Sequence, residues 1–301
     1  MDDCIIIGAG PAGLTAAIYL ARFHLSIRLF DCGSSRAALI PRTNNHAGYP
    51  EGIPGPDLLA LMLRQAERFS AVREGVEVTA IEREGDGFVV HAGDRAFPTR
   101  TILLATGVVN NRPDMDVAEH DAALARGLLR YCPICDGYEV TDKRVGVIGT
   151  GDHGMQEAIF LRGFTPHVTL IAHDGEHDLD AECRAALADA GIDWVDGPCT
   201  PIRVAGDEII VDTADGERRF DSVYPALGSV IRSKLAIAAG AKANEEGCLE
   251  VDAHQRTSIP GLFAAGDVVK GLDQISNAMG QAGVAATAIR NLLAERAPIR
   301  R

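Results

Sequence analysis

The sequence contains no apolar run of about 18 residues or more, the shortest stretch that crosses a bilayer as a helix. It also lacks a cationic start. Asp2 and Asp3 precede the apolar residues 4–7, whereas a cleavable secretory signal begins with positive charge. These absences predict a cytoplasmic protein without a membrane partner.

Positive charge is scarce as well, with 29 lysine and arginine residues against 42 aspartate and glutamate, for a net charge of -13. Nucleic acids and anionic membranes attract basic surfaces, so neither is expected as the main partner. The seven cysteines are an odd number scattered along the chain, unlike the disulfide framework of a small secreted protein. A chain of 301 residues, 47% of them hydrophobic, has enough apolar material for two packed domains.

A glycine turn near the N-terminus, Gly8-Ala9-Gly10-Pro11-Ala12-Gly13, lies between a predicted strand at residues 3–7 and a predicted helix at residues 11–23. One glycine makes the tight turn, another lets backbone approach a pyrophosphate, and a third lets helix and strand pack closely. Asp31, at the end of the next predicted strand, is the acid expected to bind ribose hydroxyls. These features favour a dinucleotide site, and a purely structural turn is the alternative.

A second glycine turn, Gly149-Thr150-Gly151-Asp152-His153-Gly154, follows the predicted strand at residues 144–148. The end of its next strand carries His173 and Asp174 and lacks an arginine for the 2′-phosphate of NADP. Asp174 would repel that phosphate or bind a free ribose diol. The sequence therefore favours NADH over NADPH, and the alternative is a scaffold that has lost its nucleotide.

Between the two turns lies Cys132-Pro133-Ile134-Cys135-Asp136. Two thiols at this spacing can cycle between dithiol and disulfide, and an adjacent carboxylate can exchange the protons that the cycle needs. Half of a zinc site is the alternative, but no second cysteine or histidine pair stands at ligand spacing. Asp136 could also serve only to start a helix. The sequence thus predicts an electron relay without a metal.

Five segments in this order and spacing resemble the low-molecular-weight thioredoxin reductase family of flavoproteins, nearly end to end. They are residues 8–13, 45–53, 105–107, 132–137 and 264–268. The resemblance implies an α/β fold of two Rossmann-like, three-layer ββα dinucleotide-binding domains, the second inserted in the first. Residues 1–112 plus 240–301 would form the FAD-binding domain, and residues 113–239 an NAD(P)-binding-like domain carrying the redox pair. It also implies a homodimer.

The resemblance assigns roles to individual residues. Cys135 would face the flavin, Cys132 would attack the substrate disulfide, and Asp136 would handle protons. FAD would be bound by Gly8, Gly10, Ala12, Gly13, Asp31, Asn45, Thr106, Gly107, Gly266, Asp267 and Gln274. NADH or NADPH would be bound by Gly149, Gly151, Gly154 and Asp174.

The resemblance implies a disulfide reductase in which a nicotinamide reduces FAD, FAD reduces the cysteine pair, and the pair reduces a thioredoxin-like protein or small disulfide. Three departures concern the electron donor: the missing basic cluster, Asp273-Gln274 in place of Arg-Gln, and Pro133-Ile134 between the cysteines. They leave open an oxygen-dependent dithiol oxidase that works without NAD(P)H. A non-enzymatic redox sensor is a third hypothesis.

Overall fold

The computed structural model describes residues 1–69 and 71–297. The predicted α/β class is confirmed, since parallel sheets covered by helices form two units. The first part of the chain forms β1 (Asp2–Ile7), α1 (Pro11–Arg22), β2 (Ile27–Phe30), α2 (Gly55–Glu67), β3 (Val72–Glu74), β4 (Val78–Glu84), β5 (Gly87–Ala92), β6 (Arg95–Leu104) and β7 (Val108–Asn110).

The middle of the chain forms the second unit, and the chain then returns to the first. The second unit comprises α3 (Val117–Ala125), α4 (Pro133–Asp136), β8 (Val145–Ile148), α5 (Gly151–Arg162), β9 (Val168–Ile171), α6 (Ala181–Ala190), β10 (Asp193–Val195), β11 (Ile202–Ala205), β12 (Glu208–Thr213), β13 (Gly216–Phe220) and β14 (Ser222–Pro225). The returning segment forms β15 (Ser229–Ile231), α7 (Lys234–Ala238), β16 (Leu262–Ala264) and α8 (Ile275–Arg296).

Strand β6 joins two layers of the first unit. Its second half pairs in parallel with β1 and β16, while its first half pairs antiparallel with β5, which in turn pairs with β4. Pairing of β16 with β6 brings the C-terminal segment back into the first sheet. Helices α1 and α8 cover one face of that sheet, with alanines such as Ala17, Ala282 and Ala286 buried between them. Small side chains let these two helices approach closely.

The second unit repeats the parallel pattern in the strand order β10-β9-β8-β14 and adds the antiparallel sheet β11-β12-β13. Strands β8 and β14 are buried along their whole length, as expected for parallel strands covered on both faces. Tyr224 on β14 is fully buried in this unit. The phenol therefore has a fixed position from which its hydroxyl reaches the redox segment.

The two crossings between the units run side by side, because β7 pairs antiparallel with β15. The predicted boundaries at residues 112 and 240 stay predictions. Helix α7 precedes the second of them, yet its Ala236 lies in the hydrophobic core of the first unit. The packing therefore favours a second domain boundary near β15, ahead of α7. In the part of the chain that the structure describes, no helix is long and apolar enough to span a membrane.

Candidate active site and dinucleotide sites

The first glycine turn is shaped by close backbone contacts. Gly8 has φ +107°, and a Cβ atom there would lie 2.3 Å from the carbonyl oxygen of Ala105. A Cβ atom on Gly13 would lie 1.8 Å from the carbonyl oxygen of Gly8. Both distances are far shorter than a van der Waals contact. These glycines therefore permit α1 to start directly against β1 and leave the N-terminus of the helix beside open space.

That space is a cavity of about 1170 Å³ between the two units. Ligand pockets are usually about 300–1,000 Å³, so this one is large enough for an extended dinucleotide. It is lined by predicted FAD residues from both halves of the first unit, namely Gly8, Gly10, Ala12, Asp31, Asn45, Thr106, Gly107, Gly266, Asp267 and Gln274. Gly13 lies behind the turn and acts there through packing.

The carboxylates of the cavity are oriented by arginines. Asp31 Oδ2 accepts a hydrogen bond from Arg73 Nη2 at 2.6 Å. Arg36 Nη2 donates to Asp267 at 2.7 Å and to Asp273 at 3.0 Å. Burial, together with the nearby Asp267 charge, raises the pKa of Asp273. Arg36, at the start of a short 3-10 helix (Arg36–Leu39), was not among the predicted residues, because a single arginine carries no motif.

The predicted redox pair forms a disulfide, and this disulfide lies on the cavity wall. Gln274 Nε2 donates to Cys135 Sγ at 3.1 Å and to Cys132 Sγ at 3.4 Å. Its side-chain oxygen accepts from Asn45 Nδ2 at 3.0 Å. Asn45 and Gln274 belong to the first unit and the cysteines to the second. The structure thus brings the cysteine pair against the residues that the sequence assigned to FAD.

Asp136 lies at the end of α4 with a partner for each carboxylate oxygen. Arg130 Nη1 donates to Oδ2 at 2.8 Å, and the Tyr224 hydroxyl donates to Oδ1 at 2.9 Å. Burial raises the pKa of Asp136, while the Arg130 guanidinium opposes that rise. Sequence reasoning missed both partners. Arg130 precedes the motif without a pattern of its own, and Tyr224 is distant along the chain.

The second glycine turn packs like the first, and a neighbouring loop contacts its second residue. A Cβ atom on Gly154 would lie 2.8 Å from the carbonyl carbon of Gly149. The Thr150 hydroxyl accepts a hydrogen bond from the backbone N–H of Asp178 at 2.7 Å and lies 3.2 Å from Nδ1 of His177. The loop after β9 therefore folds back onto the start of α5.

The residues predicted for the nicotinamide nucleotide are separate from the large cavity. Gly149, Gly151, Gly154 and Asp174 do not line it. The Asp174 side chain is 88% exposed, and its Oδ2 lies 3.9 Å from His173 Nε2. Their nucleotide-binding roles stay predictions. Among the described residues, no group of histidine, cysteine and acidic side chains could hold a metal ion.

A disulfide held against a cavity that suits a dinucleotide is the arrangement of a flavin-type disulfide oxidoreductase. The family described as pyridine nucleotide-disulphide oxidoreductase matches residues 2–282. Thioredoxin reductase of Mycolicibacterium smegmatis is 35% identical over 282 residues, which cover 89% of each chain. Thioredoxin reductase of Bacillus subtilis is 30% identical over 305 residues, which cover 97% of this chain and 95% of the relative.

A solved structure agrees with these relatives. Thioredoxin reductase from Streptococcus pyogenes matches with a TM-score of 0.89 at 29% identity, covering 98% of this chain and 99% of that one. The chain belongs to the pyridine nucleotide-disulphide oxidoreductase family. It is an FAD-dependent oxidoreductase of the thioredoxin-reductase-like kind, with two Rossmann-like units. The predicted family, fold class and flavin-dependent disulfide chemistry are confirmed.

Proposed function

We propose that the protein passes electron pairs between FAD in the large cavity and a thioredoxin-like protein or small disulfide, by way of Cys132 and Cys135. The observation that carries the proposal is the pair of Gln274 hydrogen bonds, which hold both sulfur atoms on the cavity wall. When bound, FAD supplies the two-electron carrier that can exchange with a disulfide. We further propose a nicotinamide dinucleotide as the reductant.

The proposed FAD contacts follow the cavity from one end to the other. The N-terminus of α1 and the Gly8–Gly13 turn would bind the pyrophosphate, since helix N-termini attract anions. That first turn of α1 contains no acidic residue that would oppose an anion. Asp31 would bind the ribose, and Asp267 beside Gly266 would bind the ribityl chain. Asn45 lies at the disulfide end of the cavity.

The thiol chemistry assigns different tasks to the two cysteines. Two electrons and two protons convert the Cys132–Cys135 disulfide into a dithiol. The Cys132 thiolate then attacks the substrate disulfide, forming a mixed disulfide and releasing one substrate thiol. Cys135 attacks Cys132, which frees the second substrate thiol and restores the starting disulfide. Asp136 takes up and returns the proton of the attacking thiol.

The cellular setting is also a proposal. We propose a cytoplasmic protein, because a dithiol that reduces other disulfides fits a reducing compartment. Besides the redox pair, Cys4, Cys32, Cys183, Cys199 and Cys248 are free thiols in the structure. We also propose a homodimer, which sedimentation of the FAD-loaded protein would test by its mass.

The test is anaerobic reduction of the FAD-loaded protein by dithiothreitol, followed through the flavin absorbance. We expect rapid bleaching in the wild type. Bleaching in Cys135→Ser should be slower by roughly tenfold or more, because this variant cannot form the Cys132–Cys135 disulfide. Cys248→Ser, a half-buried free thiol, is the matched control. Equal rates for Cys135→Ser and the wild type would overturn the proposal.

The direction of electron flow needs a second measurement on the same protein. NADH and a thioredoxin are added without air, and loss of the thioredoxin disulfide is followed by thiol labelling. Reduction of the thioredoxin supports the reductase. Failure to reduce it, combined with peroxide release in air as dithiothreitol is oxidised, would assign the protein as a dithiol oxidase.

A further inference from the structure

We propose that Arg130 and Tyr224 are positioning residues that hold Asp136 in place and set the pH at which it exchanges a proton with the cysteine pair. The inference rests on the proposed function, since it assumes that Asp136 handles the thiol proton. It adds two residues that the family motifs of this sequence do not include. Both act through Asp136, and the described side-chain hydrogen bonds to the two sulfur atoms come from Gln274 and not from these residues.

The geometry gives each carboxylate oxygen of Asp136 its own donor. Oδ2 accepts from Arg130 and Oδ1 from Tyr224, in both cases at hydrogen-bonding distance. The two donors come from different parts of the second unit, the segment before α4 and strand β14. A carboxylate held at both oxygens has one orientation. The structure thus fixes the residue that directly follows Cys135.

Both donors are themselves held. Arg130 Nε donates to the carbonyl oxygen of Gly127 at 3.0 Å. Gly127 has φ +69°, and a Cβ atom there would lie 2.6 Å from Arg130 Nη2. Glycine at this position therefore leaves room for the guanidinium. Tyr224 is fully buried, so its hydroxyl cannot turn to water when Asp136 changes its protonation state.

The charges around Asp136 oppose one another. Burial and the neighbouring Glu139 raise the pKa of Asp136, whereas the Arg130 charge and the Tyr224 hydrogen bond lower it. On α5, which packs against α4, His153 and Glu157 line the same cavity. Glu157 is half-buried and adds a second acid on that side. Arg130 is therefore the cation in direct contact with Asp136.

The proton balance follows from this arrangement. When the disulfide bond accepts two electrons, two thiolates form, and protonated Asp136 gives its proton to one of them. Solvent supplies the second proton. When the dithiol is used, the Asp136 carboxylate removes the proton from the attacking thiol. Asp136 must therefore cycle between both forms near the working pH, and its two donors stabilise the carboxylate form.

The experiment measures the pH dependence of flavin reduction by dithiothreitol in the FAD-loaded protein under anaerobic conditions. Removing the charge in Arg130→Met should raise the pH midpoint assigned to Asp136 by about 1 to 3 units, the usual effect of a close opposite charge on a carboxylate. Tyr224→Phe keeps the ring and should give a smaller rise. Arg130→Lys keeps the charge and should restore most of the original midpoint.

Matched controls separate a local effect from general damage. Arg219→Met removes an arginine that pairs with Glu208 and Glu217 on the antiparallel sheet of the same unit. Tyr138→Phe removes the hydroxyl of a residue that is 80% exposed and close to Asp136 in sequence. Both should leave the midpoint unchanged. Unshifted midpoints in Arg130→Met and Tyr224→Phe would overturn the inference.

Asp136→Asn distinguishes this inference from the proposed function. If this variant loses the pH midpoint while Arg130→Met and Tyr224→Phe keep the wild-type value, the proton role stands and the positioning role fails. If Asp136→Asn keeps the wild-type profile, the proposed proton role fails, and the positioning role falls with it. Far-ultraviolet circular dichroism of each variant shows that the second unit has folded. Arg130→Lys and Tyr224→Phe provide the test if Arg130→Met does not fold.

Discussion

The two glycine turns of this protein share one sequence pattern and differ in what surrounds them. The Gly8–Gly13 turn opens onto the large cavity, whereas at the Gly149–Gly154 turn the Thr150 hydroxyl contacts residues 177 and 178 of the following loop. The first turn of α1 has no acidic residue, while that of α5 contains Asp152. The first two glycines of the motif therefore line the cavity in the first unit, whereas no glycine of the second turn does.

The shared part of the pattern concerns packing. In both turns the last glycine lies so close to the first that a Cβ atom would overlap backbone atoms, as shown for Gly13 against Gly8 and Gly154 against Gly149. The glycines are thus required for joining strand and helix, with or without a nucleotide. Whether a nucleotide binds depends also on the loop that follows the next strand, which the motif does not describe.

The largest difference between the two turns is expected when one methyl group is added to the last glycine of each. Gly13→Ala places a Cβ atom 1.8 Å from a backbone oxygen that cannot move independently. We expect a loss of about 3 kcal/mol or more in folding free energy and loss of bound flavin, because overpacking displaces α1 from the cavity. The measurement is the ratio of flavin to protein absorbance after purification.

Gly154→Ala is the matched change in the second unit, where the closest distance is 2.8 Å. We expect it to lower stability but to leave the flavin bound, since none of the three glycines of this turn lines the cavity, to which the turn contributes the His153 side chain. Equal flavin loss in the two variants would contradict the difference between the turns.

A second difference lies at equivalent positions of the two helices. Counted from the first glycine of each turn, Ala16 on α1 corresponds to Glu157 on α5. Ala16 is fully buried, whereas burial raises the pKa of Glu157 to about 7, from the ordinary glutamate value of about 4.3. Below the lower of these values Glu157 is protonated in the folded and unfolded states alike. As the pH rises through this interval, only the unfolded state gives up the proton, so stability is lost.

We therefore expect Glu157→Gln to raise the free energy of unfolding at pH 8 by up to about 3 kcal/mol. At pH 4 the same substitution should change that free energy little. Urea unfolding at the two pH values measures the difference. Ala16→Gly in α1 is a control without a charge, and its effect should not depend on pH. A pH-independent effect of Glu157→Gln would show that the carboxyl has an ordinary pKa.

The sequence predicted the shared features better than the differences. Gly8, Asp31, Asp267 and the cysteine pair belong to local patterns, and the structure brings all of them to one cavity. Arg130, Tyr224 and Arg36 escaped prediction because each acts through a partner far along the chain or carries no motif. The Thr150–Asp178 hydrogen bond joins a side-chain hydroxyl to the backbone N–H of a loop, and no residue pattern specifies that loop's path.

The comparison also predicts which nicotinamide the second unit favours. Asp174 and Glu176 lie in the loop after β9, where Rossmann domains bind the adenosine ribose. A 2′-phosphate would meet these carboxylates, so we expect NADH to reduce the flavin about tenfold more efficiently than NADPH, roughly 1.4 kcal/mol. Anaerobic stopped-flow reduction with each nucleotide gives the ratio. Asp174→Arg should bring the NADH-to-NADPH rate ratio closer to one. Faster reduction of the wild type by NADPH than by NADH would refute the assignment.

The smallest expected effect concerns the loop that contacts Thr150 in the second turn. Thr150→Ala removes the acceptor of the Asp178 N–H, a hydrogen bond worth about 0.5–1.5 kcal/mol, and so makes the loop easier to displace. If nucleotide binding requires that displacement, the KM for NADH should fall by about two- to tenfold with little change in kcat. Thr141→Ala, which removes a hydroxyl bonded to the Tyr138 carbonyl in the same unit, is the control. An unchanged KM in Thr150→Ala would show that the loop does not limit access. If NADH reduces the flavin in neither the wild type nor Thr150→Ala, the second turn serves as a scaffold that positions the cysteines. The acidic loop after β9 had left this alternative open.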